Sequence, residues 1–438
     1  MIRPLLACPI LLCALLCPPA QALSALPPPP AVRLLDAHQQ VRVPGLEHRV
    51  FTAGHWWSLV LPALQANPAF NVEQIGSSAE GRPLRQVRWG EGPVVVLLWS
   101  QMHGDESTAT MALADLFAWL GQGAGNPDVE QLRDRLTLHV VPILNPDGTE
   151  RFQRRNAQGI DINRDAAALA SPEARALKTL RDRLQPAFGF NLHDQRPGYR
   201  AGNSKLPTAI AVLAPPADAA ASLTPVRQRA IGVAADIVEL LDNQLPGRLA
   251  RWDETFNPRA FGDLMQQWGT STVLLEAGGI EGDPQKQRLR QYTFAAIVGG
   301  LQSIARGDYT RADASRYHQL PENGAVWDDL LLSGATVHAS GKAPIQADVL
   351  VNFRHPLGFE QGRIVDIGDL GARKVRRRID AAGLHLHALP GARLHIEQAA
   401  RLALSRDPAG LEVVWTLDGS LPADQADPLP PPTGNPLP

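Results

Sequence analysis

Cysteine is nearly missing from this chain of 438 residues: Cys8, Cys13 and Cys17 are the whole complement, and all fall in the first seventeen positions. Beyond them there is no thiol, so a disulfide framework and thiolate metal ligands are both excluded there. Stability must come from core burial, and any metal site must use His, Asp or Glu. An excess of charge of one sign is also missing. Lys and Arg number 42 against 44 Asp and Glu, and a formal net charge of −2 gives no basic field for nucleic acid. The local run Arg373-Lys374-Val375-Arg376-Arg377-Arg378 reads as a solvated strand or loop. No segment of about twenty uncharged apolar residues follows the N-terminal stretch, which argues against a membrane span. Gly121 to Asn126 is glycine-rich but lacks the spacing of a dinucleotide loop and reads as a helix-ending turn. There is no phosphate loop and no Gly-x-Ser-x-Gly elbow, so a serine hydrolase has no visible nucleophile.

What is present begins with Met1-Ile2-Arg3-Pro4, an apolar stretch from Leu5 to Leu16, and Ala20-Gln21-Ala22. This predicts a secretory signal over 1–22 with an Ala-x-Ala cleavage site, and hence a periplasmic or secreted protein. Leu12 and Leu16, before Cys13 and Cys17, suit a lipoprotein signal poorly. Residues 23–44 read as a linker and N-terminal segment that includes the stiff spacer Pro27 to Pro30, and Arg33 to Ala69 as one or two short helices. Val94 to Trp99, Leu136 to Leu144 and Thr272 to Leu275 are strand-like, while Thr108 to Leu120, Pro172 to Leu184 and Gln291 to Ala305 are helix-like. The alternation predicts an α/β fold, a three-layer sheet with helices on both faces, over 45–305. Short apolar runs at Val326 to Val337, Asp348 to Phe353 and Ile364 to Ile367 predict a small β-rich domain over 320–418. The proline-rich stretch 422–438 reads as disordered.

Chemistry-bearing residues stand at the edges of this pattern. In Ser100-Gln101-Met102-His103-Gly104-Asp105-Glu106, His103 and Glu106 put an imidazole and a carboxylate on one backbone turn, the start of a two-His-one-Glu metal set that leaves a position open for water. His193 follows the apolar run Phe188 to Leu192, where a buried strand reaches a sheet edge and open α/β sheets place ligands. Glu276 ends the apolar strand Ser271 to Leu275, before Gly278 and Gly279. A carboxylate there costs solvation unless it is paired or working, which makes it a candidate general base. His139, inside a strand-like run, reads as a core histidine. His385-x-His387 puts two imidazoles on one strand face, a pattern more often plain surface than metal site.

Between Glu106 and His193 lie Asn145-Pro146-Asp147-Gly148, Arg154-Arg155-Asn156 and Gly159-Ile160-Asp161-Ile162-Asn163-Arg164-Asp165. Together with His103, Glu106, His193 and Glu276 in order, and with the stretch Ile75 to Leu84, this resembles the zinc carboxypeptidase family over roughly residues 45 to 305. The resemblance implies a mixed eight-stranded sheet between helices and one Zn2+ held by His103, Glu106 and His193. It implies Asp161 as the carboxylate behind His103, Arg154 as the oxyanion-stabilising arginine, and Asn163 and Arg164 as the grip on the substrate's terminal carboxylate. Glu276 becomes the general base acting on metal-activated water. The family's mobile tyrosine, some twenty residues before the catalytic glutamate, has no counterpart in Arg251 to Arg259, where Phe256 sits near its place. Asp253, Glu254 and Asp263 lie in the stretch that sets side-chain preference and read more readily as a solvated loop than as a cation-binding pocket.

The expected function is a metallocarboxypeptidase acting on a peptide or peptidoglycan-derived substrate, with no nucleic-acid partner and no membrane span. Oligomeric state is not legible. Two other enzyme readings share the site: a peptidase of peptidoglycan stem peptides and a deacylase-type amide hydrolase. The full Arg154-x-Asn156 match favours the peptidase branch over the deacylases. A non-catalytic peptide-binding protein is the remaining alternative, and it would have no use for Glu276.

Overall fold

A computed structural model describes residues 28–123, 125–324, 327–355 and 360–420; the expected signal at 1–22 and the proline-rich stretch 422–438 lie outside the described residues. Eight strands make the first sheet: β1 (Phe70–Ser77), β2 (Pro83–Trp89), β3 (Val94–Ser100), β4 (Leu136–Val141), β5 (Phe188–Asp194), β6 (Ile210–Leu213), β7 (Leu249–Arg251) and β8 (Ser271–Ala277), in the spatial order β1-β2-β4-β3-β5-β8-β6-β7. The central four, β4, β3, β5 and β8, are parallel, and antiparallel pairings join β2 and β6 to their outer members. β4, β5 and β8 are buried at every position, β3 at all but its first two, as strands covered on both faces must be.

The two faces divide by the period of two. Val96 and Leu98 of β3, Phe190 and Leu192 of β5, and Val273 and Leu275 of β8 pack into the larger core with helices Thr108–Gly121, Pro225–Leu241 and Gln287–Arg306. Leu97 and Trp99 face the other way, against helices Pro172–Leu184 and Phe261–Gln267. The result is three layers. On the same parity, Asn191 and His193 of β5 and Leu274 and Glu276 of β8 turn to the second face.

Chain order then fixes where a ligand belongs. From β3 the chain crosses to β4 on one side, while β5 lies on the other, so the strand order reverses between β3 and β5. Open α/β sheets bind ligands at such a reversal, beyond the carboxyl ends of the strands. The turn carrying His103 and Glu106 follows β3, His193 ends β5, and Glu276 ends β8.

Helices Pro30–Val41 and Ala53–Ala66 pack on the larger core. The first is tied there by a buried charge group: Arg290 meets both carboxylate oxygens of Asp115 at 2.6 Å, and His38 Nε2 lies 2.9 Å from Asp115 Oδ2. None of the described helices is long and apolar enough to cross a membrane.

Residues beyond 320 form a second, seven-stranded sheet: β9 (Asp328–His338), β10 (Ile345–His355), β11 (Glu360–Gly368), β12 (Val375–Asp380), β13 (His385–Ala388), β14 (Arg401–Ser405) and β15 (Val413–Asp418). β9 pairs with β10 along one edge; on the other it pairs first with β12 and then with β13, on either side of Gly334, whose φ is 73°. A separate apolar core, with Leu332, Val351, Leu386, Leu404 and Leu417, lies beneath it. This β-rich part leans on the first: Arg200 stacks 5.1 Å over Trp327, and Trp327 donates its backbone N–H to the Gly198 carbonyl at 3.1 Å.

Candidate active site

The turn after β3 is shaped by close backbone approach. Gln101 sits at φ 49° and donates its amide to the Gly104 carbonyl at 3.1 Å. A Cβ on Gly104 would lie 2.1 Å from the Gly148 carbonyl carbon, so only glycine lets this turn rest on the Asn145-Pro146-Asp147-Gly148 segment. Asn145 stitches the two together, donating to the carbonyls of Met102 (3.2 Å) and Arg154 (3.3 Å). Asp147 in turn accepts from Ser78 Oγ at 2.7 Å, Glu80 N at 3.0 Å and Arg82 at 2.6 Å, which explains why the stretch before β2 belongs to the same pattern.

The three candidate ligands meet. Nδ1 of His103 lies 2.7 Å from Glu106 Oε1, Nδ1 of His193 lies 2.7 Å from Oε2, and one ligand atom from each residue falls within 4.8 Å of the others; all three residues are buried. Asp161 Oδ1 takes the far nitrogen of His103 at 3.0 Å. A proton held on that nitrogen leaves the Nδ1 lone pair facing the cluster, which is what a metal ligand requires. The donor set, two imidazoles and one carboxylate, suits zinc. Burial works against charge on all three, yet the neighbours overcome it at two: Glu106 and Asp161 hold His103 up at about 9, and the two imidazoles hold Glu106 well below the ordinary carboxylate range. His193 is pushed down by burial.

Arg154 closes one side. Its Nε and Nη2 each lie 3.0 Å from Asp161 Oδ2, and its Nη1 is 3.2 Å from Glu106 Oε1. Asn163 accepts from Phe261 N–H at 3.0 Å and has its amide nitrogen 3.4 Å from His193 Nε2. Arg164 donates to the Asn163 carbonyl at 2.7 Å. Glu276 stands in register with His193 across the β5–β8 pair. Burial, reinforced by the nearby Glu106 carboxylate, holds Glu276 well above the ordinary range. His103, Glu106, Arg154, Asn163, Arg164, His193 and Glu276 all line one cavity of about 660 Å³, and Asp161 backs it.

The cavity also contains residues that the sequence reading passed over. Lys286, fully buried at φ 54°, donates to Asp194 Oδ2 at 2.9 Å and to the Ala277 carbonyl at 3.1 Å, bridging the ends of the two strands that carry His193 and Glu276. Asp194 also accepts from Thr108 Oγ1 at 2.7 Å, while its Oδ1 is buried without a partner. The aromatic residues lining the cavity are Tyr199 and Trp252, with ring centroids 5.4 Å apart; Phe256 does not line it. Asp253 and Asp263 line it too, whereas Glu254 turns away to Arg227 and Arg251. Burial raises Asp263 to about 6. The adjacency of Asp194 to His193 was the one available signal; Lys286 and Tyr199 reach the site by loops that carry no pattern. His139 is a core strand histidine, 3.0 Å from Gln86 Oε1.

Residues 61–183 match the zinc carboxypeptidase family, so the resemblance holds over the segment that carries His103, Glu106, Arg154, Asp161, Asn163 and Arg164; the match stops short of His193 and Glu276. Carboxypeptidase E of Caenorhabditis elegans is 35% identical over 119 residues, covering 22% of this chain and 25% of that protein. Probable carboxypeptidase 2 of Trichophyton verrucosum is 31% identical over 137 residues, 31% of this chain and 24% of that one. The chain thus spans about a quarter of the length of these curated relatives. Among solved structures, a metallo-carboxypeptidase from Burkholderia cenocepacia is similar with a TM-score of 0.48 and 21% identity, over 59% of this chain and 70% of that one.

Proposed function

We propose that this protein is a zinc-dependent hydrolase that removes C-terminal residues from peptides. The observation that supports it most is convergence: the three candidate ligands, Glu276 in register with His193, and the guanidinium groups of Arg154 and Arg164 share one cavity. When bound by His103, Glu106 and His193, the ion would supply Lewis-acid activation of water and of the scissile carbonyl.

The remaining work falls to the chain's own residues. Glu276 takes a proton from water on its carboxylate and returns it to the nitrogen of the leaving amine, so that water is divided between the new carboxylate and the released amino acid. Burial beside Glu106 suits it to this task, because an acid held above its ordinary range keeps a proton long enough to deliver it. Arg154, fixed by Asp161, offers positive charge where the oxyanion develops; removing such a donor costs about 3 kcal/mol. Among the described residues the Arg164 side chain donates to the Asn163 carbonyl alone, which leaves most of its fork for a terminal carboxylate. That pairing is why C-terminal rather than internal cleavage is proposed. Export is proposed as well, read from residues 1–22.

The test is mass spectrometry of a mixed peptide library and of peptidoglycan fragments after incubation with the purified, zinc-loaded protein, with and without a chelator. Stepwise, chelator-sensitive loss of C-terminal residues is expected. Action on wall fragments alone would replace the reading with a stem-peptide peptidase, and release of an acyl group with a deacylase. No product with zinc bound would leave a binding protein.

A further inference from the structure

Three of the chain's twelve histidines meet outside this cavity, on the second sheet. His338 ends β9, and His385 and His387 lie two apart on β13, which runs parallel to β9 with His387 in register with His338. The period of two puts all three on one face. His338 Nε2 lies 2.9 Å from His385 Nδ1, and the His387 ring stacks on His338 at 4.4 Å between centroids and 18° between planes.

We propose that His338, His385 and His387 form a second metal site, one that takes a divalent late transition ion such as Zn2+ independently of the catalytic centre. Two imidazole nitrogens at 2.9 Å are already near the separation of adjacent ligands on one ion, whose bonds to imidazole are about 2.0–2.1 Å long. Imidazole is the donor that zinc, nickel and copper share. A shared proton accounts for the His338–His385 contact alone. It does not account for His387, whose Nε2 is buried with no hydrogen-bond partner, a state that costs free energy until something occupies it. His387 joins the pair by turning out of its stack. Its neighbours on that face are small: Ala403 stands in register across β14, and Gly410 lies against the ring.

The experiment uses tag-free, full-length protein already loaded with catalytic zinc. Titration with further Zn2+ by calorimetry, with metal content measured after dialysis, should find one additional equivalent. The variant His338→Gln/His385→Gln/His387→Gln should lose that equivalent, each single His→Gln change should weaken it about 10-fold or more, and peptide hydrolysis should be unchanged. In the unaltered protein, Zn2+ should protect these three histidines from acylation by diethyl pyrocarbonate, read by peptide mass spectrometry, so the test stands even if a variant misfolds. No equivalent beyond the catalytic one, or one that the triple variant retains, or no protection, overturns the proposal.

Discussion

Glu276→Gln should separate the catalytic cost of this residue from its structural cost, with opposite signs. The side chain is buried at the end of β8, its neighbours include the Glu106 and Asp194 carboxylates, and burial first and Glu106 second raise its proton affinity in the fold. An acid whose folded value lies above its unfolded value stabilises the fold at low pH, and this contribution is lost as pH rises through the folded value. At neutral pH and without metal, Glu276 therefore destabilises the fold, whether it carries a buried charge or takes up a proton to stay neutral. Gln has the same shape and no charge, so metal-free Glu276→Gln should be as stable as the parent or more so in urea at pH 7. Zinc should still bind, because His103, Glu106 and His193 are untouched. Turnover should fall by about 10²–10⁴-fold, the range for loss of a general acid–base group. The assays are a denaturant titration with and without chelator, and kcat/KM on a peptide substrate. Activity within a few-fold of the parent would refute the assignment of the base; a metal-free variant less stable than the parent by about 2 kcal/mol or more would refute the electrostatic reasoning.

The other predictions concern the frame around the site. Arg290→Met leaves the Asp115 carboxylate buried at 0% exposure with its bidentate partner gone, and should cost about 3–5 kcal/mol in chemical denaturation, a loss that Asp115→Asn/Arg290→Met should partly recover. His139 is held down at about 4 by burial, with Arg88 and Arg183 adding to it; its folded value is depressed, so its contribution is full above about 6.5 and is lost as pH falls from there through about 4. His139→Gln should remove up to roughly 3 kcal/mol of that acid sensitivity, measured as the difference in stability between pH 7 and pH 4. Gly104→Ala forces the turn off the Gly148 backbone and should weaken zinc binding by about 10-fold or more in competition with a chelating dye. Parental zinc affinity in that variant would mean that the turn has room the geometry denies it.

Legibility in the sequence followed the range of the interactions. β3 and β8 are readable because strands covered on both faces must be apolar throughout, and helix Pro172–Leu184 because Ser171 caps it, accepting from Ala174 N–H at 3.2 Å, with Pro172 next. β1 and β2 escaped notice: both are rich in polar residues, β1 is largely uncovered, and their register breaks between Gln74 and Gly76, so no apolar run marks either. β6 and β7, four and three residues long, are too short to carry a period. Helix Pro225–Leu241 had the same cap-and-proline signal at Thr224-Pro225 and was not recognised, because its alanine-rich, largely buried sequence blurs the helical period.

The site divides along the same line. His103, Glu106, His193 and Glu276 were legible because a strand ends beside each, and the end of a parallel strand is where chemistry can reach the reversal in strand order. Lys286 and Tyr199 belong to loops, and what places them is contact with residues tens of positions away: Asp194 for Lys286, Trp252 for Tyr199. For Lys286 the consequence is physical. It joins Asp194, one residue past His193, to the carbonyl of Ala277, one past Glu276, so the separation of a candidate ligand from the candidate base is set by an ammonium that enters from neither strand. A spacing that strand pairing fixes in register is thereby held a second time at its open end, where the last backbone bond, from Gln195 N–H at 3.0 Å, and the ammonium share the Ala277 carbonyl.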